Sequence, residues 1–309
     1  MANQEDRLTV MAVHAHPDDE VFSTGATLAK YSAKGYRTVL VTCTDGAAGE
    51  VFDPTLGEEE KQQTFAQIKE VRVRELAESV RLLGITHQHY LGYRDSGMIG
   101  TPDNHNPESF HRAVFHEAVG RLVTLIRLYR PQVLLTYDEF GGYGHPDHLQ
   151  AQRITTIAFG VANDGRLYRG GESDFTSDYE PWQPAKLYYA GRPRSMMHRM
   201  VQDMRKLGIK GWWDDPEYES IPRGTPDEQI TTRIDGRDLI ELKQAAFRAH
   251  RTQLAPDSFV FIMPPEKTRE YLGYEYFGLA QHRVPLFKGL GGEGYEEDLF
   301  EGIQADLIE

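Results

Sequence analysis

Short apolar runs alternate with longer amphipathic stretches along the first half of the chain. Residues 8–13 (LTVMAV) and 37–42 (RTVLVT) read as buried strands, and residues 133–136, set off by Pro131, read as another. A shorter strand is predicted over 87–91, and one more over 186–190. Between them lie helical patterns. Residues 24–31 have helical composition, with Gly35 as a stop. Residues 58–83 predict one long helix, because Phe65, Ile68, Val71, Leu76, Val80 and Leu83 recur at near-helical spacing and Gly84 follows. Residues 110–128 predict an amphipathic helix. Residues 239–250 predict another, with a basic end that suits a helix C-terminus.

This alternation predicts an α/β fold: a Rossmann-like, mostly parallel sheet with helices on both faces. Functional loops then belong at the carboxyl ends of the strands. No glycine fingerprint for a dinucleotide follows the first strand, and no Walker loop or short tandem repeat occurs. Beyond residue 160 the pattern weakens. Residues 164–184 are rich in Gly, Asp, Ser and Pro and read as loop, 212–225 are irregular, and the last forty are aromatic, glycine-rich and partly acidic. Residues 1–160 are expected to form the core, and 161–309 a C-terminal extension or cap that completes the same domain and shapes a substrate pocket.

Composition narrows the function. The formal charge of −13 argues against nucleic-acid binding, which needs basic surface, and leaves a small neutral substrate open. A single cysteine, Cys43, excludes an intramolecular disulfide and fits a reducing cytoplasm. Met1 to Arg7 lack the apolar stretch of a signal peptide, and no window supplies a membrane span. A cytoplasmic protein without membrane contact is expected, with a homo-oligomer open.

Two charged segments carry the candidate chemistry: Ala15-His-Pro-Asp-Asp-Glu20 and Gly144-His-Pro-Asp-His148, each after a predicted strand. His16, Asp19 and His148 can supply the three His and carboxylate ligands of an open catalytic zinc site, one ion per subunit. The same donors accept Fe2+ and other divalent metals. Asp18, adjacent to a ligand, is the candidate base toward a metal-activated water. His145, as imidazolium, is the candidate to stabilise an oxyanion or protonate a leaving amine, with Asp147 fixing its tautomer. Tyr143 adds a hydroxyl donor, and Gly141, Gly142 and Gly144 let the loop approach a substrate closely. His89, His105, His111 and His116 have no metal spacing among themselves, and Cys43 reads as a small buried side chain.

These two segments, in this order, resemble the LmbE-like, PIG-L family of zinc-dependent N-deacetylases. Thr-Cys-Thr-Asp-Gly at 42–46, Arg-Asp-Ser-Gly-Met at 94–98, Thr-Tyr-Asp around Tyr137 and His-Arg-Thr-Gln at 250–253 resemble its thiol-sugar branch, which holds the mycothiol-pathway N-acetylglucosaminyl-inositol deacetylase and the mycothiol conjugate amidase. The resemblance implies metal binding by His16, Asp19 and His148, a base at Asp18, and an oxyanion and leaving-group residue at His145 with Asp147 behind it. It implies a mobile, carbonyl-polarising tyrosine at Tyr143 and sugar contacts at Arg72 and Asp95. The expected reaction is hydrolysis of the N-acyl amide of an N-acetylglucosamine derivative. The alternatives are an amidase acting on a thiol-sugar conjugate, a natural-product deacetylase, and a non-catalytic sugar binder with a structural metal.

Overall fold

The computed structural model describes residues 7–170, 175, 176, 178–216, 223–285 and 294–303. Its centre is a seven-stranded sheet in the order β3-β2-β1-β4-β5-β7-β6. The strands are β1 (Thr9–His14), β2 (Arg37–Thr44), β3 (His87–Tyr93), β4 (Val133–Tyr137), β5 (Lys186–Gly191), β6 (Thr232–Asp235) and β7 (Tyr274–His282). The first five run parallel, and β7 is antiparallel to both its neighbours. Strand order reverses between β1 and β4, and the carboxyl ends there frame a crevice in folds of this type.

Both faces of the sheet are covered, as the alternating pattern predicts. One face packs against α2 (Gly25–Ala33), α4 (Ile68–Leu83) and α9 (Ile240–Ala249), the other against α5 (Phe115–Tyr129) and α7 (Pro146–Val161). In α5 the stripe Val119, Leu122, Val123 and Ile126 is wholly buried. Each such side chain contributes about 1.5–3 kcal/mol on leaving water.

The long helix expected over 58–83 is two helices. α3 (Glu58–Phe65) ends before Gln67, whose backbone leaves the helical region at φ −122°, ψ 20°. Its sequence EEEKQQTF has no apolar stripe, and it buries no residue; Phe65 is 53% exposed. Nothing therefore holds it in line with α4. The helix expected from residue 110 begins at Phe115, after a separate turn of 3-10 helix at Phe110–Arg112.

The region after residue 160 adds β5, β6 and β7 to the same sheet, together with α8 (Arg194–Lys206). Neither α8 nor β6 and β7 are predicted by the sequence pattern. On β7 one buried position is Glu275, paired with the buried Lys243 of α9, so the inward face does not read as apolar. Parts of the loops expected at 164–184 and 212–225, and of the last forty residues, lie outside the described residues.

Candidate metal centre

Four neighbouring strand ends supply the site. β1 ends at His14 and is followed by His16, Asp18 and Asp19; short helix α1 (Asp19–Ser23) starts there. β2 leads to Asp45 and Gly46, and β3 to Asp95 and Ser96. β4 leads through a helical turn, α6 (Gly141–Gly144), to His145 and then to His148 in the first turn of α7. Gly141 is required by close packing as well as by its φ of 64°. A Cβ there would lie 2.8 Å from the Cβ of His148.

His16, Asp19 and His148 converge. His16 Nδ1 is 3.2 Å from His148 Nε2 and 3.3 Å from Asp19 Oδ2, and His148 Nε2 is 3.4 Å from Asp19 Oδ1. The outer nitrogens fix both tautomers. His148 Nδ1 is 3.0 Å from the Gly141 carbonyl and must donate to it, which leaves a lone pair on Nε2. His16 Nε2 faces Asp147 Oδ2 at 3.3 Å and Asp95 Oδ1 at 3.5 Å, so it carries the proton and Nδ1 offers the lone pair.

Two imidazole lone pairs and a carboxylate thus face one another. Tetrahedral zinc with bonds of about 2.0–2.1 Å sets its donor atoms roughly 3.3–3.4 Å apart, close to these three separations. Charge agrees with that fit. Burial opposes a proton on His16, yet Asp95, Asp147 and Asp19 outweigh it and raise the imidazole well above its ordinary value. The site is built to hold positive charge. The geometry also groups His16 with His145 and His148, and His16 with Asp95 and Asp147. Asp147 already accepts the Ser96 amide at 2.8 Å and the Ser96 hydroxyl, which marks it as an outer partner of His16.

This corrects the expected place of Asp147. Its carboxylate stands behind His16 and not behind His145. The reason is α7: His145 is the N-cap, and its Nδ1 accepts the backbone N–H of Asp147 at 3.1 Å while the Asp147 side chain turns toward Ser96. The same bond corrects the expected charge of His145. An Nδ1 that accepts carries no proton, and burial together with His16 and His148 pushes the imidazole down to about 2. His145 is therefore neutral, and its donor is Nε2–H. The ring of Tyr143 lies 5.0 Å from that of His148 and 6.2 Å from that of His145. Burial, then the charge of Asp19, pushes its phenol up, so it stays a donor.

Asp18 adjoins Asp19 and feels the charges of Asp19 and His16; its φ is 129°, a conformation L side chains rarely adopt. Arg72 Nη2 is 3.2 Å from its carboxylate. Arg72 and Asp95 are 4% and 5% exposed. Arg72 donates to the carbonyls of Gly46 at 2.9 Å and Pro17 at 2.7 Å, while the neighbouring Arg74 is exposed. His89 is taken up by the Tyr129 hydroxyl and His111 by the Asn104 carbonyl, and Cys43 is buried and free.

The sequence pattern gives no role to Tyr137, Ser96 or Glu20, which the structure ties to Asp19, Asp147 and Asp18 respectively. Each is within reach of the pattern, since Tyr137 directly follows a predicted strand, Ser96 follows Asp95 and Glu20 closes the first charged segment.

The chain is similar to known proteins. Residues 11–159 match the family described as PIG-L, GlcNAc-PI de-N-acetylase. The 1D-myo-inositol 2-acetamido-2-deoxy-alpha-D-glucopyranoside deacetylase of Thermobispora bispora is 41% identical, over 95% of this chain and 98% of its own length. The protein of the same description from Thermobifida fusca is 42% identical, over 94% and 98%. Among solved structures, N,N'-diacetylchitobiose deacetylase from Pyrococcus horikoshii superposes with a TM-score of 0.58 at 21% identity, over 89% of this chain and 84% of its own. The 4-carboxy-2-hydroxymuconate hydratase of Pseudomonas putida gives a TM-score of 0.55 at 16% identity, over 91% and 99%. The fold thus carries more than one chemistry.

Proposed function

The chain belongs to the PIG-L/LmbE-like family, and from that premise we propose that it hydrolyses the N-acetyl amide of an N-acetylglucosamine joined to an inositol. The products are acetate and a free amine. It is a metal-dependent deacetylase. The observation that carries this reading is the convergence of His16 Nδ1, His148 Nε2 and Asp19, with Asp18 next in the chain to Asp19 and within reach of the charges of Asp19 and His16.

A divalent cation held by His16, Asp19 and His148 supplies Lewis acidity, lowering the pKa of a water and polarising a carbonyl oxygen. The chain's own groups do the rest. Asp18 accepts the proton of the attacking water. His145 Nε2–H and the Tyr143 hydroxyl donate to the carbonyl oxygen as it gains negative charge. Asp18 returns its proton to the departing nitrogen, which leaves as the amine. Arg72 keeps Asp18 oriented from behind, and Asp95 with Asp147 orients His16. β5, β6 and β7, which extend the core sheet, support reading the described residues beyond 160 as part of the same domain and as the wall of the pocket. No helix among the described residues is long and apolar enough to cross a membrane. The lone, buried Cys43 supports a reducing, cytoplasmic setting.

The test is zinc-loaded protein incubated with N-acetylglucosaminyl-inositol, N,N'-diacetylchitobiose and N-acetylglucosamine, with free primary amine measured with and without chelator. Chelator-sensitive release, greatest from the inositol glycoside, is expected. No release from any of them with stoichiometric zinc bound would overturn the reading.

A further inference from the structure

The segment His250–Gln253 takes no part in the hydrolysis set out above, yet it is tied to the site at several points. His250 follows α9 and is fully buried. Its Nε2 lies 2.7 Å from Glu20 Oε1, across 230 residues of sequence. That oxygen also accepts the Ser79 hydroxyl of α4 at 2.6 Å. The other oxygen, Oε2, accepts the backbone N–H of Asp18 at 3.0 Å. Glu20 is thus held on one side by His250 and Ser79, and on the other it holds the peptide of the one site residue with strained backbone.

A non-glycine residue at φ 129° is strained and persists only where its surroundings over-determine it. Two constraints on Asp18 are visible. Arg72 holds the carboxylate at 3.2 Å, and Glu20 holds the amide. Without His250 the buried Glu20 loses the 2.7 Å bond that fixes one of its oxygens. A carboxylate held by fewer bonds can turn out of place, and the Asp18 amide then loses its acceptor. Thr252, two residues on, is bound elsewhere: its amide and hydroxyl meet Glu75 at 3.0 and 2.6 Å. The segment therefore contains its own control.

We propose that His250 is a positioning residue for Asp18, acting through Glu20 to hold the Asp18 peptide in the conformation that sets its carboxylate beside His16, Asp19 and His148. The inference rests on the reading of Asp18 as the base.

The experiment compares full-length His250→Ala, His250→Gln, Thr252→Val and Asp18→Asn. Zinc stoichiometry, melting temperature, kcat and KM are measured on loaded protein. Hydrogen exchange of the peptide spanning residues 16–20 is measured on metal-free protein. His250→Ala is expected to lose about 10- to 100-fold in kcat with KM and zinc content unchanged, and to exchange faster over 16–20. His250→Gln, which offers an N–H toward Glu20, recovers most of both. Thr252→Val lowers the melting temperature but keeps kcat and the slow exchange. Should the alanine variant not fold, His250→Asn, whose amide is too short to reach Glu20, takes its place. Wild-type kcat and exchange in His250→Ala would overturn the proposal, as would an equal kcat loss in Thr252→Val or no recovery in His250→Gln. All three leave Asp18 as the base. Turnover retained by zinc-bound Asp18→Asn would remove the base assignment and this proposal with it.

Discussion

The phenol oxygen of Tyr137 lies 2.7 Å from Asp19 Oδ2 and 2.7 Å from the amide nitrogen of Ala15. The amide must donate, so the phenol donates to the carboxylate. The same ring stacks on His148, with centroids 4.1 Å apart. One tyrosine at the end of β4 therefore orients two of the three proposed ligands. Tyr137→Phe keeps the stacking and removes the donor. Metal affinity should fall about 10- to 100-fold, the usual effect of losing an outer partner, while kcat at saturating metal is largely kept. Competition with a chromogenic chelator measures this, and an unchanged affinity would sink the assignment.

The pH profile tests Asp18. Burial lifts its carboxyl to about 6, while the Arg72 guanidinium pulls it down. A base must be deprotonated, so activity is lost as pH falls through that pKa. A cation at the neighbouring donors can only lower it further. The acid limb of kcat/KM is therefore expected at or below about pH 6. Arg72→Met removes the pull of an opposite charge 3.2 Å away and should move the limb up by about one unit or more. A limb that stays in place would show that Arg72 does not act on the group that titrates.

His145 should behave as a neutral donor. Its Nδ1 is occupied by the Asp147 amide, and burial beside two other histidines disfavours a second proton. His145→Ala is expected to cost about 10²–10³ in kcat, the scale of a lost oxyanion donor. His145→Gln, which restores an N–H, should regain part of that. Neither variant should remove a limb from the pH–rate profile. Loss of a basic limb in His145→Gln would reinstate the imidazolium.

The parallel half of the fold and the three converging donors were legible because each rests on local pattern. β1, β2 and β4 each carry a short apolar run (VMAV, VLV and VLL), and His16, Asp19 and His148 stand at fixed offsets from the ends of β1 and β4. What hid was polar burial. The inward stripe of α4 is Ile68, Arg72, Glu75, Leu76, Ser79 and Leu83, so half of it reads as solvent-facing. Glu275 disguises β7 in the same way. Asp147 was placed behind the wrong histidine because its partner is set by Ser96, from a strand end 51 residues away, and not by its own helix. Spacing along the chain shows which residues reach a site, but the far side of each hydrogen bond comes from another strand.

The Glu20–His250 pair should leave its mark on stability. Burial works against a charge on His250, but the Glu20 carboxylate, helped by Asp18 and Glu75, outweighs it and raises the imidazole above its ordinary 6.5. Burial likewise opposes Glu20, and His250, with Ser79, brings it net below its ordinary 4.5. The raised group contributes stability that is complete below 6.5 and lost as pH rises through the folded value. The lowered group contributes stability that is present above 4.5 and lost as pH falls through its folded value. The two overlap between those ordinary values. His250→Gln removes the ionisation while keeping an N–H, so the difference in melting temperature from the wild type should peak at mildly acid pH and shrink on the alkaline side. A melting series on metal-free protein from pH 4 to 9 separates this from a fixed packing defect, which would lower the melting temperature by the same amount throughout.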